Sequence, residues 1–207
     1  MKDFGLVVIG AHFGVWLKKE ISNYKNKNIL LVEPVPYNYK ILKANFEKNN
    51  NIFICTNAIF SKNKTERFYF VKEDSIPKLG KHWASGIGSF SKQHILNHKS
   101  KRFKVEESDV ETIEINFINF ETLVNKYEIK SIDKLQIDVE GAEFDILNSI
   151  DFNKIIVNNI LFESKHFDGT FTEGKKLKII KEKLILNGYK LSQLDEENIL
   201  AKKLSLV

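Results

Sequence analysis

Leu6-Val7-Val8-Ile9-Gly10-Ala11-His12-Phe13-Gly14 reads as a buried strand that runs into a glycine turn. Four apolar residues in succession suit a strand covered on both faces. Glycines at 10 and 14 free the backbone to turn and to approach a ligand closely at the start of the next helix. That helix is expected over Val15 to Tyr24. Ile29 to Val32 repeats the buried-strand pattern and ends at Glu33-Pro34. Tyr37 to Lys48 has Tyr39, Leu42 and Phe46 on one helical face. Ile52 to Cys55 reads as a third strand. Strand, helix, strand, helix, strand predicts a parallel sheet with right-handed crossovers.

Toward the C-terminus the same grammar returns. Leu135 to Val139 is expected as a core strand, followed by a helix from Glu140 with Phe144, Leu147 and Ile150 inward. Ile155 to Phe162 reads as another strand, and Glu173 to Leu186 as a helix with Leu177, Ile180 and Leu184 as its stripe. Tyr189 to Leu194 and Ile199 to Leu204 alternate around Asp195 to Asn198, the pattern of a closing hairpin. Between these halves, Arg67 to Val71 suits an outlying strand and Phe120 to Glu128 a short helix. Residues 72–108 carry no period, several glycines and serines, and a dense set of Lys and His. Excursions of that length are usually lids or binding loops. Without repeats or linkers, the expectation is one domain over 1–207 with a lid or substrate excursion at about 72–108.

Composition narrows the class. The 207 residues are 43% hydrophobic and 29% charged, ordinary for a folded α/β protein. The lone cysteine, Cys55, excludes an intrachain disulfide and a multi-cysteine zinc site. A reducing, cytoplasmic setting is the simpler expectation. No apolar run approaches the roughly 18 residues of a membrane span. Net charge is +5, which invites a nucleic-acid partner. Of the 32 basic residues, however, only Arg67 and Arg102 are Arg. Arg is the residue of forked phosphate and base recognition, so nucleic acid is disfavoured.

The chemistry-bearing residues fall at strand ends. Glu33 follows the second strand about 20 residues after the glycine turn, where nucleotide folds place an acid for ribose hydroxyls. Neither G-x-x-x-x-G-K-[ST] nor G-x-G-x-x-G is present. An adenosine ligand without a pyrophosphate therefore fits better than NAD or ATP. Asp138, Glu140 and Glu143 gather three carboxylates at the end of a central strand and the first turn of its helix. Acids there also complement a helix dipole, so Glu140 and Glu143 read equally as capping residues. Asp138, on the tip of an apolar strand, needs a partner. Glu163 and His166 end the next strand, and His is a natural base near neutral pH. Carboxylates and His at one edge leave a divalent metal open.

The segments VVIGAHFG (7–14), LLVEPVPYNYKILKANFEKN (30–49), NAIFS (57–61), LQIDVEGAEFDIL (135–147) and ILFESKH (160–166) together resemble the FkbM-type S-adenosylmethionine-dependent methyltransferases. The resemblance implies a Rossmann-like class I methyltransferase with a mostly parallel seven-stranded sheet and an antiparallel closing hairpin. It implies an O-methyltransferase acting on a hydroxyl of a sugar or other small metabolite. Gly10, His12 and Gly14 would flank the methionine end of the cofactor, Glu33 would hold the ribose, and Asn57 with Ala58 would border the adenine. Asp138 would bind the cofactor too, beside its methionine and the transferred methyl; Glu140, Glu143, Glu163 and His166 would line the acceptor side. Asp138 and His166 are both candidates for the base. The family's acid two residues before the first glycine is Val8 here, and its Asn after Gly-Ala is His12. A fold retained for binding, or a nucleic-acid methyltransferase, are the rival readings.

Overall fold

A computed structural model describes residues 1–100, 103–165, 167–168 and 173–204. β1 (Lys2–Ile9) lies inside a seven-stranded sheet, because its side chains alternate between two apolar layers. Leu6 and Val8 pack with Leu17, Leu31, Leu42 and Phe46 on one face. Val7 and Ile9 join Phe120, Leu147, Ile180 and Leu184 on the other. Burial on both faces is why the run could be continuously apolar.

The first crossover is α1 (Lys18–Asn23), leading to β2 (Asn28–Val32). α2 (Pro36–Phe46), with proline at its first turn, leads to β3 (Ile52–Cys55). The short β4 (Ala58–Ile59) and long β5 (Lys64–Val71) follow. The excursion then folds as α3 (Ser75–Leu79), a 3₁₀ turn at His82–Gly86, β6 (Gly88–Ser89), α4 (Lys92–Leu96), β7 (Lys99–Ser100) and β8 (Phe103–Lys104). β9 (Val110–Ile118), α5 (Phe120–Lys126) and β10 (Ile129–Ile137) return to the main sheet. α6 (Glu143–Ser149), β11 (Ile156–Glu163), α7 (Lys175–Leu186), β12 (Tyr189–Gln193) and β13 (Asn198–Lys203) complete the chain.

Main-sheet order is β12-β13-β11-β10-β1-β2-β3, with β13 antiparallel to both its neighbours and the other pairings parallel. This is the class I methyltransferase arrangement that the resemblance implies. The strand order reverses at β1, from which the chain first adds β2 and β3 on one side and later β10 and β11 on the other. Ligands of open α/β sheets bind at the carboxyl ends beside such a reversal. Register brings those ends together: Ile9 is level with both Val32 and Ile137, and Ile137 with Phe162. Gly10, Glu33, Asp138 and Glu163 each follow within one residue, along one edge.

Three sequence expectations shift. The first helix begins at Lys18 rather than Val15. His12 and Gly14, at φ 51° and 70°, hold residues 11–17 in tight turns that bury Ala11 and Leu17. β9 was not anticipated; it pairs along the whole of β5 in a separate four-stranded sheet, β4-β9-β5-β6. The 72–108 excursion has its own apolar cluster, in which Leu79, Ala84, Ile87, Ile95, Phe103 and Val105 pack on Val71. No helix among the described residues is long and apolar enough to cross a membrane.

Candidate active site

The glycine turn is fixed by backbone contact with both neighbouring strands. Gly10 and Ala11 N–H both donate to the Val32 carbonyl, at 3.0 and 2.9 Å, and Asp138 N–H donates to the Ile9 carbonyl at 3.0 Å. Gly10 adopts φ 92°, and a Cβ there would lie 1.8 Å from the Asp138 carbonyl oxygen. Only glycine allows the β1 and β10 loops to meet so closely. Gly14 solves a different problem: a Cβ there would strike Phe46 at 2.4 Å and Leu42 at 2.7 Å, so it seats the turn against α2.

Glu33 is 5% exposed at the end of β2. One carboxylate oxygen accepts from His12 N–H at 2.8 Å; the other accepts from Val35 N–H at 3.0 Å and from Asn38 Nδ2 at 3.4 Å. Burial pushes its pKa up to about 7, although all three donors work to lower it. Glu33 therefore ties the glycine turn to the entry of α2 as well as facing the cleft. A carboxyl raised on folding favours the folded state most below the unfolded value, and that advantage is lost as pH rises through about 7. Glu33→Gln cannot ionise. Relative to the parent, it should gain on the order of 2–3 kcal/mol of stability between pH 5 and pH 8. Melting curves at the two pH values check this; parallel pH dependence would show that Glu33 does not titrate in the fold.

Between these strand ends lies a cleft. It is lined by Ile9, Gly10, Glu33, Ala58, Asp138 and Glu140 from the sheet side. Gly86, Gly88, Ser89 and Phe90 of the excursion form the opposing wall. The cleft is a slot with about 570 Å³ of empty space, its mouth included. The excursion grips the sheet edge through Ser85. Its carbonyl accepts from Asn38 Nδ2 at 2.7 Å and from Tyr37 OH at 3.3 Å. Its Oγ donates to the His82 carbonyl at 2.7 Å and meets His12 Nε2 at 2.6 Å. With that hydroxyl proton engaged, the His12 ring nitrogen is the donor.

Asp138 is open to water within the cleft yet closely surrounded by protein. That crowding, and next the charge of Glu140, push its pKa up to about 6 despite Lys165. Glu163 is buried and paired with Lys165, which also reaches Glu197 at 3.4 Å. Burial is the main reason that its pKa rises to about 7, with Asp138 and Glu140 adding to it. Glu140 lines the slot and lies against the excursion's His94 and His98, at 3.5 and 3.3 Å.

Other residues are placed away from the slot. Glu143 is 1% exposed and accepts from Val139 N–H at 3.0 Å and Gly141 N–H at 3.5 Å. It braces the 138–142 loop from within rather than lining an acceptor pocket. Asn57 bonds Asn116 and Lys126 and lines a separate shallow groove. His12 points to the excursion, stacks on Phe13, and has its pKa lowered to about 4 by burial and by His82. It stays neutral across the physiological range. Val8 is fully buried in the apolar layer with Leu17 and Leu42, so no acid fits there without losing its solvation. His166 lies outside the described residues. His94 and His98 were not singled out in the sequence; their i, i+4 spacing was the available signal.

Residues 9–191 match the family model of the FkbM methyltransferase domain. The chain belongs to this family. It is an S-adenosylmethionine-dependent methyltransferase. No curated protein matches it in sequence. Among solved structures it is similar to the precorrin-6y C5,15-methyltransferase of Geobacter metallireducens, with 12% identity and TM-score 0.48 over 98% of this chain and 82% of that one. It is also similar to the fibrillarin pre-rRNA processing protein of Methanococcus jannaschii, with 11% identity and TM-score 0.47 over 98% and 67%. A third, Aeropyrum pernix fibrillarin with natively bound S-adenosyl-L-methionine, shows 10% identity and TM-score 0.45 over 97% and 66%.

The family's cofactor suits the residues present. Gly10 lines the slot, and a buried carboxylate stands beside it at the end of β2. Three donors occupy Glu33, leaving room for a fourth on its two oxygens.

Proposed function

We propose that this FkbM-family methyltransferase is an O-methyltransferase that modifies a hydroxyl of a sugar or another small metabolite, with Asp138 as its base. The observation that carries this reading is Asp138: a carboxylate that opens into the cleft with its pKa raised to about 6. A base poised just below neutral pH is ionised when needed and can still hold a proton. S-adenosylmethionine, when bound, supplies an electrophilic methyl on a sulfonium centre. Glu33 accepts ribose hydroxyls, Gly10 borders the methionine end, and Ala58 gives the adenine an apolar wall. Asp138 takes the acceptor's hydroxyl proton as negative charge develops on that oxygen. Lys165 keeps the carboxylates around Asp138 from repelling one another unchecked. The excursion wall excludes water and holds the acceptor in line, which supplies much of the acceleration.

Ribose hydroxyls donate, so they favour ionised Glu33, and cofactor affinity should rise with pH up to about 7–8. Losing one charge-assisted acceptor through Glu33→Gln should weaken S-adenosylhomocysteine about tenfold or more. Calorimetric titration of both proteins reads this; equal affinity would overturn the ribose assignment. The reaction class is tested by incubating the enzyme with methyl-labelled cofactor and a panel of sugars, phenols and oligonucleotides. Labelled O-methyl ether on a small hydroxylated acceptor supports the reading. Label only on nitrogen or carbon, or only on oligonucleotide, contradicts it.

A further inference from the structure

His94, His98 and Glu140 come from two parts of the chain, the excursion and the β10–α6 loop, yet a ligand atom from each lies within 4.8 Å of the other two. His94 is the middle residue of α4, and its own N–H donates to the capping Ser91 Oγ. His98 lies one turn later, so both rings face the same way. Glu140 Oε2 is 3.5 Å from His94 Nε2 and 3.3 Å from His98 Nε2. Charge-assisted N–H···O bonds settle at about 2.7–2.9 Å. Both contacts are long for that. They equal the edge of a tetrahedron around a cation: bonds of about 2.0–2.2 Å set ligand atoms roughly 3.3–3.6 Å apart.

The surroundings fit a cation as well. His98 Nδ1 donates to the His94 carbonyl at 2.9 Å, which fixes the ring with Nε2 facing Glu140. That outer bond is the recurrent device for orienting a metal-bound imidazole. His94 is seated on Gly141, where a Cβ would come within 3.4 Å of the ring in a backbone held at φ 95°. Glu140 itself is held by Ser89 Oγ, which donates to its carbonyl at 3.4 Å. The neighbouring carboxylates Asp138, Glu143 and Glu163 all carry Glu140's repulsion, so the edge holds an excess of negative charge.

We propose that His94, His98 and Glu140 bind a divalent transition-metal ion of the zinc class, which fastens the 72–108 segment to the sheet edge. Two imidazoles and one carboxylate are the donor set such an ion prefers over magnesium or calcium. Three protein ligands leave at least one coordination position. Glu140 also lines the slot, which puts such an ion beside it. A bound ion there would draw in the acceptor oxygen and ease loss of its proton. This last role rests on the O-methylation reading; metal binding does not.

The test uses the full chain, untagged and stripped with a chelator, at pH 7.5. Co2+ is the probe, with Zn2+ as competitor. The expected result is one Co2+ per chain, a visible absorption spectrum of low coordination number, and its loss on adding Zn2+. His94→Ala with His98→Ala should weaken binding at least a hundredfold, and Glu140→Gln at least tenfold. A chain that binds no Co2+, or a double variant that binds it as well as the parent, would overturn the proposal. If the double variant fails to fold, His98→Gln and the Zn2+-induced rise in melting temperature of the parent decide instead: an unchanged affinity in the first or no rise in the second overturns it. S-adenosylhomocysteine binding, measured on the same stripped protein, keeps the two readings apart. Cofactor binding without Co2+ binding refutes the metal site alone. Co2+ binding without cofactor binding refutes the methyltransferase site alone.

Discussion

Gly10→Ala should unfold the protein at a markedly lower temperature and abolish cofactor binding in whatever remains folded. The added methyl would lie 1.8 Å from the Asp138 carbonyl oxygen and 2.9 Å from its carbon. Both are backbone atoms at the tips of paired strands, and neither can rotate aside. The residue is also held at φ 92°, where an L side chain is strained. A clash of that kind belongs with the severe classes of substitution, at about 3–5 kcal/mol. For a chain of this size, that lowers the melting temperature by on the order of 10 °C. Gly80→Ala is the matched control. Gly80 sits at φ 65° but has nothing within 4 Å of its missing Cβ, so only backbone strain of about 1–2 kcal/mol applies. Thermal denaturation of both variants, with and without S-adenosylhomocysteine, separates packing at the slot from left-handed strain in general. A Gly10→Ala protein that melts like Gly80→Ala and still binds the cofactor product would show that the two loops do not meet as described.

Asp138→Asn should lower methyl transfer about 10²- to 10⁴-fold while leaving S-adenosylhomocysteine affinity within a few fold. The substitution keeps shape and removes the proton acceptor. In the parent, transfer should rise with pH through a limb near 6, because the carboxylate must be ionised to take the proton. That limb should vanish in the variant. Stability should not suffer, since a carboxyl whose pKa is raised on folding is less costly when it cannot ionise. Turnover within fivefold of the parent, with the limb intact, would move the role of base to another group.

The central sheet was legible because its strands announce themselves. Leu6 to Ile9 and Ile29 to Leu31 are buried on both faces, so no polar residue interrupts them. Gly10, Glu33 and Asp138 were legible for a related reason: where parallel strands end in register, their next residues must share an edge. The excursion was not legible. Helices of five residues and strands of two are too short to display a period, and only their packing on Val71 defines them. β9 did alternate, with Ile113, Ile115 and Phe117 on one face, but only Phe117 is well buried and polar residues fill the rest. Glu143 looked like one more acid at a ligand edge; its inward turn onto the Val139 and Gly141 amides follows from loop geometry that spacing does not encode. His94 and Glu140 meet across 46 residues, a pairing only the folded excursion creates.

We propose that the slot between the ends of β1, β2 and β10 takes S-adenosylmethionine. The direct measurement is the melting temperature of the full chain as S-adenosylhomocysteine is added. Ligand at a hundred times its dissociation constant stabilises the native state by about 2.7 kcal/mol, which for this chain length is roughly 5–10 °C. A rise of that size, absent when adenosine diphosphate replaces the ligand, is the predicted result. A melting temperature that does not move at millimolar S-adenosylhomocysteine would contradict the account.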